Sequence, residues 1–126
     1  MARVLVVDDE PAIRSLIRNT LERAGHTVLE AADGPAALAA ARSEVPDLVL
    51  LDVALPGLSG LEVCRRLKAA RETAGAAVLL LTGLPQAEAC IPTGAAGCIA
   101  KPFTPDALVR QAEQALLRQK EPARRP

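Results

Sequence analysis

Between Pro46 and the pair Pro56-Gly57 lies the stretch DLVLLD, Asp47 to Asp52. Its four central residues, Leu48, Val49, Leu50 and Leu51, are all apolar and follow no helical period. Such a run reads as a strand buried on both faces, and that demands a sheet covered on each side. The run stops abruptly at Asp52. A carboxylate at the end of a fully buried strand is costly unless its charge is used, and open parallel sheets place their ligand sites at that carboxyl edge. Asp52 is therefore the centre around which the other candidate residues are sought.

The flanking chain supplies the rest of such a sheet. Arg3 to Val7 is a Val-rich strand that stops at Asp8, Asp9 and Glu10, and Pro11 starts a helix where its missing donor does no harm. Ile13, Leu16, Ile17, Leu21 and Ala24 give that helix one apolar face, with Arg14, Arg18 and Glu22 outside, and Gly25 ends it as a left-handed cap. Thr27 to Ala31 is predicted as a second strand and Gly34 to Ser43 as a second, Ala-rich helix closed off by Pro46. After the central strand, Ser59 caps a third helix with Val63, Cys64 and Leu67 inward and Arg65, Arg66 and Lys68 outward. Ala77 to Leu81 is a fourth buried strand ending at Thr82-Gly83. The segment LPQAEACIPTGAAG holds one or two helical turns between its prolines. Gly97 to Ala100 is a short fifth strand, and Thr104 caps a last helix begun by Pro105, with Leu108, Ala112, Ala115 and Leu116 inward. Five strands alternating with five helices predict an α/β doubly wound, flavodoxin-like (βα)5 sandwich with parallel sheet order 2-1-3-4-5. The chain of 126 residues divides into one domain, 1–119, and a polar tail or linker start, 120–126.

Zero net charge gives no electrostatic footprint for nucleic acid or an anionic membrane. The apolar stretches fall short of a membrane span, and the start, MARVLVVDDE, meets acids too early for a signal peptide, so a cytoplasmic protein is expected. Cys64, Cys90 and Cys98 are an odd set without CxxC spacing, which disfavours zinc and a disulfide framework and predicts small buried or half-buried thiols. His26, the only imidazole, lies where helix gives way to strand, with no nucleophile to pair with.

In the sheet order above, the first and third strands are neighbours, which brings Asp8, Asp9 and Asp52 into one crevice. Two carboxylates 4 Å apart repel by roughly 4 kcal/mol at an effective dielectric near 20, so three need a cation. A hard divalent ion suits oxygen donors, and magnesium suits best because it takes few carboxylates and keeps open positions for a phosphoryl group. Lys101 supplies a point charge and Thr82 a hydroxyl for phosphoryl oxygens, the positioning and charge stabilisation that phosphoryl transfer requires. Taken singly, Asp9 is an N-cap, Thr82 a strand-end hydroxyl and Lys101 a solvated lysine; their coincidence at one sheet edge carries the signal.

The motifs VLVVDDE, DLVLLDVALPGLSGLEVCRRLK, VLLLTG and AKPF, in that order from Arg3 to about Leu117, resemble the response-regulator receiver domain of two-component signalling. The resemblance implies that Asp52 accepts a phosphoryl group from a histidine kinase or phosphotransfer protein and so switches an interaction surface for a downstream effector. It implies that Asp8, Asp9 and Asp52 hold magnesium with the backbone carbonyl of Ala54, that Lys101 and Thr82 contact phosphoryl oxygens, and that the Lys101-Pro102 peptide is cis. Two features depart from the family. Cys98 stands at the switch position, three residues before the lysine, where Tyr or Phe is usual, and the stretch from Thr82 to Lys101 is shorter than typical by about one helical turn. Both fall on the surface that usually reports phosphorylation and that relatives often use to form homodimers. Ala54 and Leu84, each two residues beyond a site residue, cannot orient a hydrolytic water, which implies slow self-dephosphorylation.

A phosphorylation-driven switch and a phosphorylation-independent interaction module on the same scaffold are the two readings left open. All five chemical positions are kept, which favours the switch; Cys98 and the short segment favour the module. A phosphohydrolase of the best-known aspartyl type wants an acid where Ala54 sits. A flavin carrier lacks its phosphate loop and stacking aromatics, Phe103 being the one aromatic residue. No glycine-rich nucleotide motif occurs.

Overall fold

A computed structural model describes residues 2–83 and 94–120, the last two by backbone alone. The element order is β1 (Arg3–Val7), α1 (Pro11–Arg23), β2 (Thr27–Ala31), α2 (Gly34–Glu44), β3 (Leu48–Asp52), α3 (Gly60–Ala69), β4 (Ala77–Thr82), β5 (Gly97–Ala100) and a last helix, here α4 (Pro105–Lys120). All strand pairs are parallel and their order is β2-β1-β3-β4-β5. The helical turns expected between the prolines after Thr82 fall largely on 84–93, outside the described residues, as do Leu84, Cys90 and the tail beyond Lys120. No helix among the described residues is long and apolar enough to cross a membrane.

The unbroken apolar runs follow from a sheet with two cores. Val4, Val6, Leu48, Leu50, Leu79 and Leu81 face one side and pack with Ile17 and Leu21 of α1 and Leu108, Ala112 and Leu116 of α4. The alternate residues Leu5, Val7, Val49, Leu51, Val78 and Leu80 face the other side and meet Ala37 and Ala41 of α2 and Val63, Cys64 and Leu67 of α3. Every position of β3 is buried. With each such side chain contributing roughly 1.5–3 kcal/mol of transfer free energy, the central strands anchor the register of the sheet and, with it, the relative heights of the polar residues at its carboxyl edge.

Helix ends are set locally. Asp33 accepts from the Ala36 amide at 2.8 Å, Ser59 from Glu62 at 3.3 Å and Thr104 from Ala107 at 3.1 Å, each satisfying an otherwise orphaned donor. Gly25, at φ 96°, follows α1 in the left-handed conformation that its missing Cβ permits.

Leu16, Ala24 and Lys68 depart from the faces assigned to them. Leu16 is 45% exposed and Ala24 is exposed; both line an open groove with Pro105 and Val109 of α4. The apolar stripe of α1 is wider than the strip that α4 covers. Lys68 is half-buried rather than outward, its ammonium donating to the carbonyls of Ala74 and Ala76 at 2.8 Å each. A long stem lets the charge fold back over the turn after α3 and satisfy carbonyls that the sheet does not.

Gly60 is where α3 touches the site strand. Its amide donates to the Val53 carbonyl at 3.0 Å, and a Cβ placed on it would lie 2.1 Å from the Asp52 carbonyl oxygen. The backbone of β3's end and the start of α3 therefore approach as closely as only glycine allows. Gly60→Ala is expected to destabilise the protein by about 1–3 kcal/mol, the usual range for overpacking, seen as a lower urea midpoint with unchanged slope; an unchanged midpoint would show that the contact is not tight.

Candidate phosphoacceptor site

Three strand ends and one loop lysine converge at the carboxyl edge. Asp8 follows β1, its amide donating to the Ala31 carbonyl of β2 at 3.2 Å, and it is fully buried. One carboxylate oxygen, Oδ1, accepts from the Glu10 amide at 2.9 Å, while Oδ2 faces the Lys101 ammonium at 3.2 Å. Asp52, the last residue of β3, is also buried. Its Oδ1 accepts from the Ala54 amide at 3.0 Å and its Oδ2 from Lys101 Nζ at 3.1 Å. Asp9 is exposed, yet oxygens of Asp8, Asp9 and Asp52 lie within 4.8 Å of one another. An all-carboxylate donor set with one member open to solvent fits a hard divalent cation.

Lys101, the source of the point charge, is held in place at both its backbone and its ammonium. Its amide donates to the Thr82 carbonyl at 2.8 Å, pinning the loop after β5 to the end of β4. Its peptide bond to Pro102 is cis. From there the side chain reaches past β4 to bridge acids on β1 and β3. Thr82 is buried at the same edge, one residue beyond Leu81, the partner of Asp52 in the β3–β4 register. Asp8, Asp9, Asp52, Thr82, Lys101 and the Ala54 backbone, separated by up to 93 positions in sequence, thus lie at one edge of the sheet.

Cys98 lies in β5, half-buried against Leu80 and its neighbours on the α2 and α3 side of the sheet. The expectation of a thiol there is corrected, because Cys98 is disulfide-bonded. Spacing along the chain does not report which sulfurs approach within bonding distance; the fold decides that. Cys64 is buried as expected. His26 plays a structural part where α1 gives way to β2, its Nδ1 accepting from the Ala2 amide and its Nε2 facing Glu113, both at 3.3 Å.

One residue abutting the site escaped the sequence. Arg14, assigned to the outer face of α1, is only 18% exposed in its side chain. Its guanidinium donates to the Asp8 carbonyl at 2.8 Å and to Glu30 of β2 at 3.0 Å. The available signal was direction rather than period, since long side chains on a helix lean toward its N-terminus, here toward the acids.

The comparisons with known proteins agree with this geometry. Residues 4–113 match the profile of the response regulator receiver domain. The chain belongs to the response-regulator receiver family. It is 40% identical over 121 residues to the DNA-binding dual master transcriptional regulator RpaA of Synechocystis, covering 94% of this chain and 50% of that protein. It is 41% identical over 118 residues to the phosphate regulon regulatory protein PhoB of Pseudomonas aeruginosa, covering 91% of this chain and 52% of that one. Among solved structures, the Vibrio cholerae chemotaxis protein CheY4 superposes with a TM-score of 0.86 at 34% identity, over 91% of this chain and 98% of its own. The receiver chain thus spans about half the length of the first two relatives and nearly all of the third.

Burial pushes the Asp52 carboxyl above its ordinary value, and the charge of Asp8 adds to that push; the Ala54 amide and Lys101 pull downward without cancelling it. For Lys101, burial would lower the pKa, but Asp52 and Asp8 outweigh it and hold the ammonium above its ordinary value. Because the folded receiver binds Asp52's proton more tightly than the unfolded chain does, stability without divalent cations falls as pH rises from the ordinary carboxylate range through Asp52's raised value. Asp52→Asn is therefore expected to raise the melting temperature in EDTA at pH 7, where 1 kcal/mol corresponds to roughly 4 °C for a domain of this size. The gap should close as pH falls into the ordinary carboxylate range, and a variant that melts lower than the parent at pH 7 would contradict this balance of charges.

Proposed function

We propose that this receiver accepts a phosphoryl group on Asp52 and thereby switches a protein-interaction surface. The observation that carries this reading is the Lys101 ammonium shared by the buried Asp8 and Asp52 carboxylates, with Asp9 at the open side of the same crevice. A carboxylate oxygen of Asp52 attacks the phosphorus of a phosphohistidine on a kinase or phosphotransfer protein. The new P–O bond forms as the P–N bond breaks, and the electron pair leaves on the imidazole nitrogen. Asp8, Asp9, Asp52 and the carbonyl of Ala54 are the groups that would hold magnesium, which when bound neutralises the crowded acids and orients the incoming phosphoryl group. Lys101 and the Thr82 hydroxyl stabilise charge on the phosphoryl oxygens as it transfers.

The protein is in this reading a regulatory phosphoacceptor that promotes its own phosphorylation, acting in the cytoplasm and making no direct contact with nucleic acid or membrane. Residues 1–119 form the receiver unit and 120–126 begin a linker or tail, with a downstream effector protein or domain reading the switched surface. Ala54, exposed beside Asp52, carries no group able to activate water, which supports slow return of inorganic phosphate.

Intact-mass spectrometry after incubation with acetyl phosphate tests the proposal. A magnesium-dependent gain of one phosphoryl group is expected in the parent and not in Asp52→Asn, and after donor removal the adduct should outlast that of Ala54→Asn. A parent that gains nothing would return the receiver to the phosphorylation-independent interaction module.

A further inference from the structure

The three acids of the site are not held equally. Asp8 and Asp52 each have both carboxylate oxygens engaged by an amide and by Lys101. Asp9's carboxylate makes no hydrogen bond or ion pair with the other described residues. Its direction is set by the backbone that carries it, and the controlling unit is the Asp8–Asp9 peptide, whose rotation would swing the Asp9 Cα–Cβ bond out of the crevice.

That peptide is clamped. Arg14 Nη1 donates to its carbonyl oxygen at 2.8 Å, while Nε of the same planar group is fixed on Glu30 Oε1 at 3.0 Å. Glu30 is itself held in β2 opposite Val6 and takes a second ion pair from Arg18 at 2.7 Å. Arg18 first and Arg14 second keep the Glu30 carboxyl below its ordinary value, so the brace stays charged. A guanidinium fork can grip a carbonyl and a carboxylate together in fixed directions, which an ammonium cannot.

We propose that Arg14, braced by Glu30, is a positioning residue that fixes the Asp8–Asp9 peptide and so aims the Asp9 carboxylate at the cation. This rests on the reading of Asp8, Asp9 and Asp52 as the magnesium site. Arg14 touches no reacting atom, and its action runs through the backbone. The sign of its effect separates this role from simple charge, because removing a nearby positive charge would by itself tighten cation binding.

The test uses the full chain stripped with EDTA. Magnesium affinity is measured by calorimetric titration, and the rate of phosphorylation by acetyl phosphate is followed by intact mass across magnesium concentrations, in parent, Arg14→Ala, Arg14→Lys and Glu30→Ala. Arg14→Ala should weaken magnesium binding by roughly tenfold, the lower end for a lost group behind a metal ligand. It should raise the magnesium needed for half-maximal phosphorylation by the same factor while leaving the rate at saturation largely unchanged. Arg14→Lys should fall between parent and Ala, and Glu30→Ala should shift affinity in the same direction, which keeps the test available if Arg14→Ala does not fold. Unchanged or tighter magnesium binding in the variants, with only the EDTA melting temperature lowered, would overturn the proposal and leave Arg14 a structural tie. A parent that binds no magnesium would instead overturn the reading of the three acids, and this inference with it.

Discussion

One ammonium group ties the carboxyl edge together. Lys101 Nζ sits between Asp8 just after β1 and Asp52 on β3, and without it two buried carboxylates would face each other in a region where isolated charge is costly. The parallel sheet is what makes the bridge possible. Strands running one way bring their last residues to one edge, and the order β2-β1-β3-β4-β5 makes the two acids neighbours. The lysine stands beyond the edge strand, about two interstrand spacings or 10 Å from β3, so a long side chain is required. Its backbone is drawn inward by the hydrogen bond to the Thr82 carbonyl.

The same arrangement leaves the charge of the acids only partly balanced. Lys101 offsets the acids in part, and Asp52 still remains harder to ionise than an ordinary carboxylate because of its burial. In the proposed function, positive charge entering through the side where Asp9 is exposed would complete the balance and let an anionic phosphoryl donor approach an anionic acceptor. Gly60 pressed against the Asp52 peptide and Arg14 on the Asp8 carbonyl show the two acid-bearing loops held from opposite sides of the crevice.

Much of this was legible in the residues. The central strands are so apolar, and so short between prolines and glycines, that only a doubly covered sheet accommodates them, and the ends of those strands named the acids, the threonine and the lysine. What escaped depends on direction and distance in three dimensions. Helical period put Arg14 and Lys68 outside, because it counts positions and ignores how far a long side chain folds back. It put Leu16 and Ala24 inside, because a stripe gives the angle of a face and not the width of the helix that covers it. The bond at Cys98 was hidden for a related reason, since spacing in sequence does not reveal which sulfurs lie within bonding distance.

Asp52 is buried at an electrostatic cost, and in the proposed function a cation relieves it. The most direct measurement is the titration of the Asp52 carboxyl carbon by NMR, with and without magnesium. The structure predicts a pKa above the ordinary carboxylate range in EDTA and a fall when magnesium is added. Titration within the ordinary range, unmoved by magnesium, would contradict it.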